Sequence, residues 1–271
     1  MNDADAQHFD EQRFNNERRQ EAARILKRNR FPLLRPTLSA MIPAFNRASV
    51  FDISAKAGPI GGMYPVARYE SEDVKAGHIK YTGPRLTQFH KRVLLGFMQL
   101  AAGRTGDVVI EFNAKQFLTS IGRDAGWRTV EKLRVAIADL RSATFTVCNY
   151  ETDRGTVFGW VLGADWSGNR VEVRLDKKVA WAFDDLGHTY LPVNKRNCLV
   201  DGLQTWLLDM IFSSKQNSFS YDALAAILGR RDVAGFGKEV RMALAKVAAV
   251  GAIAQPQYRR GRFTVTRVPA A

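Results

Sequence analysis

The segment LRVAIADL at 133–140 falls, after a gapless shift of 107 positions, on VRMALAKV at 240–247. Apolar residues meet apolar residues at each inward position of a helical period, and Arg134 meets Arg241. The same shift sets Phe112 on Phe219, Ile121 on Leu228, Gly122 on Gly229 and Arg123 on Arg230. That spacing is far longer than the roughly 20–50 residues of a solenoid unit, so the pattern implies two copies of one small module. A chain of 271 residues has room for roughly two such domains.

Each copy reads as helix, short strand, helix, turn, helix, strand, charged turn, strand. In the first copy Leu86–Ala102 is a helix and VVIEF (108–112) a strand. Asn113 caps a short helix reaching Ile121, because its side chain accepts from free first-turn amides. A longer helix, Arg128–Arg141, sets Val130, Leu133, Ile137 and Leu140 on one face. TFTVCNY and TVFGWVLG then make a hairpin around ETDRG, whose Arg154-Gly155 matches Arg260-Gly261 near the C-terminus. This is the order of a winged helix, a helix-turn-helix extended by a β-hairpin. Its third helix can enter a major groove while the hairpin tip meets phosphate.

The expected fold class is therefore α+β: two tandem winged-helix domains with a flexible N-terminal arm. The arm covers 1–45, the first domain 46–170, a connecting segment 171–190 and the second domain 191–271. Residues 31–63 are broken by Pro and Gly and read as largely irregular, with regular structure starting near NRASVFDIS. RLDKKVAWAFDD (174–185) reads as a short strand and a connecting helix. The hairpin 144–163 carries Phe145, Val147, Phe158, Trp160, Val161 and Leu162, more than one buried face can hold. The excess packs on the second domain or forms a dimer surface, and the sequence does not choose between them.

Charge narrows the partner. Lys and Arg number 40 against 27 Asp and Glu, a formal +13, which favours a polyanion, nucleic acid ahead of an anionic membrane surface. The candidate DNA contacts of the second copy are Arg230 and Arg231 in the turn, Gly235 at the start of the long helix, Lys238 and Arg241 on it, and Tyr258, Arg259, Arg260 and Arg262 on the hairpin. In the first copy they are Arg123, Arg128, Thr129, Lys132 and Arg134, with Arg154 on the hairpin. The plainer alternative is a solvated basic face, with Arg134 and Arg241 tying helix to helix. The second copy, being more basic, is the better base reader.

Other chemistries find no support. No P-loop follows GPIGGMYP, and His8, His78, His90 and His188 are scattered rather than clustered beside a Tyr nucleophile. Asp184-Asp185 reads as the end of a surface helix. Cys148 and Cys198 have no metal-ligand spacing and read as reduced thiols. We expect no catalysis and no cofactor. The polar, acidic start MNDADAQHFDEQRF is unlike a secretory signal, no apolar run reaches bilayer length, and a cytoplasmic location with no membrane partner follows as an expectation. SVFDIS (49–54) resembles in part the peptides that grip the sliding clamp, but it lacks their leading Gln and reads first as the opening strand of the folded region.

With the modules placed, the chain resembles the TrfA family of plasmid replication initiators. The resemblance runs from NRASVF through IKYTGPRLTQFHKRVLLGFM and RTVEKLRVAIADLRSATFTV to the final hairpin, about residues 46–268, with KYTGPRL before a long helix its most specific piece. It implies a bacterial protein that binds direct repeats (iterons) in double-stranded DNA at a plasmid origin. It also implies opening of adjacent AT-rich DNA, recruitment of the host initiator, replicative helicase and sliding clamp, and a shift between monomer and homodimer. Two other readings share the same modules: a transcriptional repressor or autoregulator, and a protein-interaction scaffold.

Overall fold

In a computed structural model of the chain, residues 30–53, 62–65, 78–149 and 154–269 are described, so the expected arm lies outside them up to residue 29. Regular structure begins earlier than the Pro and Gly pattern predicts. Strand β1 (Leu38–Met41) leads into helix α1 (Pro43–Arg47), where Pro43 takes a first-turn position that needs no amide hydrogen. Phe51 of SVFDIS is fully buried, which leaves no greasy pair exposed for a clamp, and the described part of that segment is bend rather than strand.

Strands β2 (Gly62–Pro65) and β3 (His78–Thr82) precede helix α2 (Gln88–Ala101), the hub of the first core. The KYTGPRL segment shapes the entry to this helix: the Tyr81 hydroxyl donates to the Pro84 carbonyl and Arg85 pairs with Asp52. Strand β4 (Val108–Asn113), helix α3 (Ala114–Ser120) and helix α4 (Trp127–Ser142) follow. Asn113 caps α3 as expected, accepting from the amides of Lys115 and Gln116 at 3.0 and 3.3 Å.

Next come β5 (Thr144–Asn149), β6 (Arg154–Phe158), β7 (Val161–Ser167), β8 (Arg170–Leu175), helix α5 (Lys177–Leu186), β9 (Thr189–Pro192) and helix α6 (Val193–Asn197). The C-terminal part is helix α7 (Leu203–Ser213), β10 (Ser218–Ser220), helix α8 (Tyr221–Ile227), helix α9 (Val233–Ala249), β11 (Gln257–Arg259) and β12 (Arg262–Thr264). The chain is thus α+β. Its strands form sheets ordered β2-β3-β5-β6, β4-β8-β7 and β10-β12-β11, with β1 paired to β9.

This topology corrects the expected hairpin at 144–163. The chain leaves the first hairpin after β6 and builds a second, β7–β8, which flanks β4. Phe145, Val147, Phe158, Trp160 and Val161 are buried in the first core, and Leu162 stays exposed. Phe145 and Trp160 pack edge-on to Phe45 with ring centroids 5.0 and 5.5 Å away, so these residues make neither an interdomain face nor a dimer surface. Strand β8 pairs with β4 in the β4-β8-β7 sheet, so the expected connecting segment 171–190 gives its opening residues to that sheet.

The repeat survives as hydrogen bonds. Ile121, Gly122 and Arg123 donate from their amides to the carbonyls of Phe117, Thr119 and Leu118 at 3.1, 3.0 and 2.8 Å. Shifted by 107, Leu228, Gly229 and Arg230 donate to Leu224, Ala226 and Ala225 at 3.1, 3.2 and 2.8 Å. Both turns need a left-handed residue, met by Gly122 (φ 72°) and Gly229 (φ 63°). The first amide of each short helix reaches a hairpin tip: Ala114 donates to Asn169 at 2.7 Å and Tyr221 to Gly261 at 3.0 Å. The counterpart of the C-terminal hairpin is therefore β7–β8, and β5–β6 is an insertion.

Buried apolar residues form two clusters, one from Phe31 to Val193 and one from Leu199 to Val265. Helix α2 meets α3 so closely that a Cβ on Gly96 would lie 2.7 Å from the Phe117 ring and 2.8 Å from Ile121. Gly96→Ala should therefore destabilise the fold by about 1–3 kcal/mol despite the usual gain from Ala in a helix. A shift of the urea midpoint upward would contradict this packing.

Between the clusters sits a charged network whose centre is fully buried. Asp209 of α7 receives Arg196 Nε at 2.9 Å and lies 2.8 Å from Lys91 Nζ, all three fully buried. Arg92 donates to Asp201 at 2.8 Å, to the Leu199 carbonyl at 2.8 Å and to the Ile121 carbonyl at 3.0 Å. One side chain thus joins α2, the end of α3 and the loop before α7.

Candidate nucleic-acid interface

In the second unit Asp232 caps α9 by accepting from the Gly235 amide at 2.9 Å, so the helix starts at Val233 and Gly235 lies inside its first turn. Phe236, Val240, Leu244 and Val247 point into the core, leaving Lys238 and Met242 exposed on the outer face with Ala234 and Ala245. Arg230 is exposed and pairs with Glu239 at 3.3 Å; Arg231 is exposed beside it.

Arg241 is brought to the hairpin. Its Nε donates to the Tyr221 hydroxyl at 3.3 Å and its guanidinium lies 5.2 Å from the Tyr258 ring centre. The Tyr221 hydrogen bond raises the Arg241 pKa, and partial burial raises that of Tyr258. Arg241 and Tyr258 therefore brace the hairpin against α9. Beyond them the β11–β12 turn exposes Arg259, Arg260 and Arg262, with Arg259 and Arg262 directly opposed in register. Like charges set opposite one another across a ladder cost free energy, which a bound anion would relieve.

The first unit repeats the brace with different chemistry. Arg134 pairs with Glu131, donates to the Gly168 carbonyl at 2.7 Å and lies 5.8 Å from the Trp166 ring, fixing α4 to the β7–β8 tip. Arg134 and Arg241 thus both tie a helix to its hairpin, and the acidic partner of Arg134, Glu131, stands on the same helix. Arg128 lies over Trp127 at 5.5 Å, and Lys132 Nζ sits 4.6 Å from the Phe89 ring centre. Thr129 spends its hydroxyl on Asp124 at 2.8 Å, closing the turn before α4.

Two first-unit candidates are displaced. Arg123 turns inward to Asp201, where it shares a carboxylate with Arg92 and ties the two cores together. Arg154 stands on β6 opposite Asn149, in the inserted sheet rather than at the matching tip, and its side chain lies outside the described residues. The matching position is Arg170, opposite Ser167 as Arg262 is opposite Arg259, with a side chain 76% exposed and 2.5 Å from Glu111. A legible signal was present: SGNR between two strand-like runs is a two-residue hairpin turn. Trp127, 72% exposed at the start of α4, was also missed, and the shift sets it on Ala234.

Among the described residues no group of three or more His, Cys, Asp or Glu could hold a metal ion, and no helix is long and apolar enough to cross a membrane. The interface offers two outward helix faces, each beside a hairpin tip, with arginines densest at the second.

No protein-family model matches the chain, and no curated protein is significantly similar to it. Among solved structures it is similar to domains 2 and 3 of RctB. A selenomethionine crystal form matches with a TM-score of 0.59 at 8% identity, over 84% of this chain and 99% of that one. A second RctB domain 2–3 structure matches with a TM-score of 0.54 at 9% identity, over 83% and 97%. At such identity the likeness establishes a shared fold: this chain folds as those two domains do.

Proposed function

We propose that this chain is a plasmid replication initiator that binds origin direct repeats in duplex DNA through two winged-helix modules, without catalysis or a cofactor. The observation that supports it best is the duplicated helix-and-hairpin unit with a guanidinium brace in both copies. Each unit offers an outer helix face to a major groove and a hairpin tip to the flanking phosphates. The buried network at Asp209 and Asp201 holds the two units at a fixed relation, so engagement of one raises the effective concentration of the other over the adjacent DNA segment. The RctB likeness adds an analogy at the level of fold, and the KYTGPRL entry to α2 supports a tie to the TrfA family.

In this reading Arg128, Lys132, Lys238, Arg230, Arg231, Arg259, Arg260 and Arg262 face DNA, with Arg170 added. Arg134, Arg241 and Tyr258 position, and Arg123 serves the junction. The free energy of binding two grooves bends or opens adjacent AT-rich DNA, and host initiator, helicase and clamp follow in a cytoplasmic complex.

Selection of bound duplexes from a random pool at moderate salt tests the proposal. One asymmetric motif spanning about two helical turns is expected. A palindrome would indicate a dimeric repressor instead, and no enrichment would leave an interaction scaffold.

A further inference from the structure

Val135 and Met242 occupy the same position in the two units under the 107-residue shift, and both are conspicuously exposed, at 58% and 66%. A single exposed apolar side chain needs no explanation. Recurrence at one position of two outward helix faces, where the flanking pairs Arg128/Gly235 and Glu131/Lys238 have diverged, does need one. On α4 the neighbours of Val135 on that face are Arg128, Glu131 and Ala138; on α9 those of Met242 are Gly235, Lys238 and Ala245.

The character of these faces limits what fits. Met242 is a single apolar contact point bordered by charge, and on α4 Val135 stands two turns from the exposed Trp127 with Arg128 and Glu131 between them, a spread unlike the continuous apolar centre of a protein–protein interface. Small residues beside Val135 and Met242 (Ala138, Ala245 and Gly235) let the helix backbone come close to an opposing surface. A major groove supplies a match: thymine alone among the four bases places a methyl group there, and apolar side chains read it by contact. The basic hairpin tips beside both helices supply the complementary charge for the DNA backbone.

Building on the function proposed above, we infer that Val135 and Met242 are specificity-determining residues, each contacting a thymine C5-methyl group. Met242, longer and unbranched, reaches further and adapts its shape; Val135 offers a short, stiff contact. The two modules then demand thymine at one position apiece, separated by the distance between the two helices.

Uracil pairs as thymine does but lacks the methyl, so it isolates the contact. Each thymine of the selected duplex is replaced in turn by deoxyuridine and the Kd measured by fluorescence anisotropy at one salt concentration. Wild-type protein should lose about fourfold at two positions, the worth of one buried methyl-sized group (about 0.8 kcal/mol). Met242→Ala should abolish the sensitivity at one of them and Val135→Ala at the other, each variant binding intact and substituted duplex equally there. Both side chains are exposed, and unchanged thermal midpoints will confirm that the variants fold. Uniform tolerance of deoxyuridine, or sensitivity that persists in both variants, overturns the inference while leaving duplex binding intact. Failure to enrich any duplex overturns the proposed function, and this inference with it.

Discussion

Asp209→Ala should cost about 3–5 kcal/mol of folding free energy, the usual penalty for removing one member of a buried charge group. The variant leaves Lys91 and Arg196 as two cations without their shared carboxylate, both fully buried. Lys91→Met should cost far less, since Arg196 still holds Asp209 through two nitrogens. Urea unfolding of both variants gives the comparison; equal losses would show that the carboxylate is not the centre of the network.

Both partners have lowered pKa values in the fold, so the contribution of each to stability rises with pH, in two separate windows. Desolvation lowers the Lys91 pKa from 10.5 to about 8 despite the attraction of Asp209. Between those values the unfolded chain binds the proton more tightly, so this group's contribution to stability rises with pH across the window. The Lys91→Met variant should lack that rise. Burial pushes the Asp209 carboxyl up, but Arg196 and Lys91 outweigh it and hold the pKa below 3.8. Its contribution is present above that value and is lost as pH falls through the lower folded one.

None of this network was legible in the sequence. Gln88–Ala101 carries Lys91 and Arg92 amid apolar residues, and their partners lie more than a hundred positions away. Isolated charges in a sequence read as solvated because burial of an ion needs a partner that local pattern does not show. The helices and the short capped turn were legible because their determinants are local: apolar period, the Asn113 cap and the turn glycines. The 107-residue shift was legible because the same local hydrogen bonds recur on the same residue types. The hairpin assignment failed where the determinant became long-range. ETDRG and SGNR both satisfy a turn, and only pairing with β4 distinguishes the module's own hairpin from the insertion. The α1 segment is not legible because Pro43, which breaks a helix anywhere beyond the first turn, here stands at a helix start.

Replacing Arg259 and Arg260 together by Ala should weaken binding to the selected duplex roughly a hundredfold, taking about 1.4 kcal/mol for each charge-assisted contact. The loss should be salt-dependent. Each phosphate contact adds about 0.9 to the slope of log K against log salt, so the double variant should flatten that slope by about 1.8. Among the described residues no carboxylate pairs with either side chain, so no internal ion pair must be broken before they meet phosphate. Arg170 provides the internal contrast, because it holds the matching tip but is engaged by Glu111, which must release it. Arg170→Ala should therefore cost less affinity and flatten the slope by less than one contact. A double variant whose affinity falls while its slope stays unchanged would assign these arginines to bases rather than phosphates, and the hairpin would then read sequence directly. If neither affinity nor slope changes, the tip does not touch DNA, and the outer face of α9 must carry the second unit's binding alone.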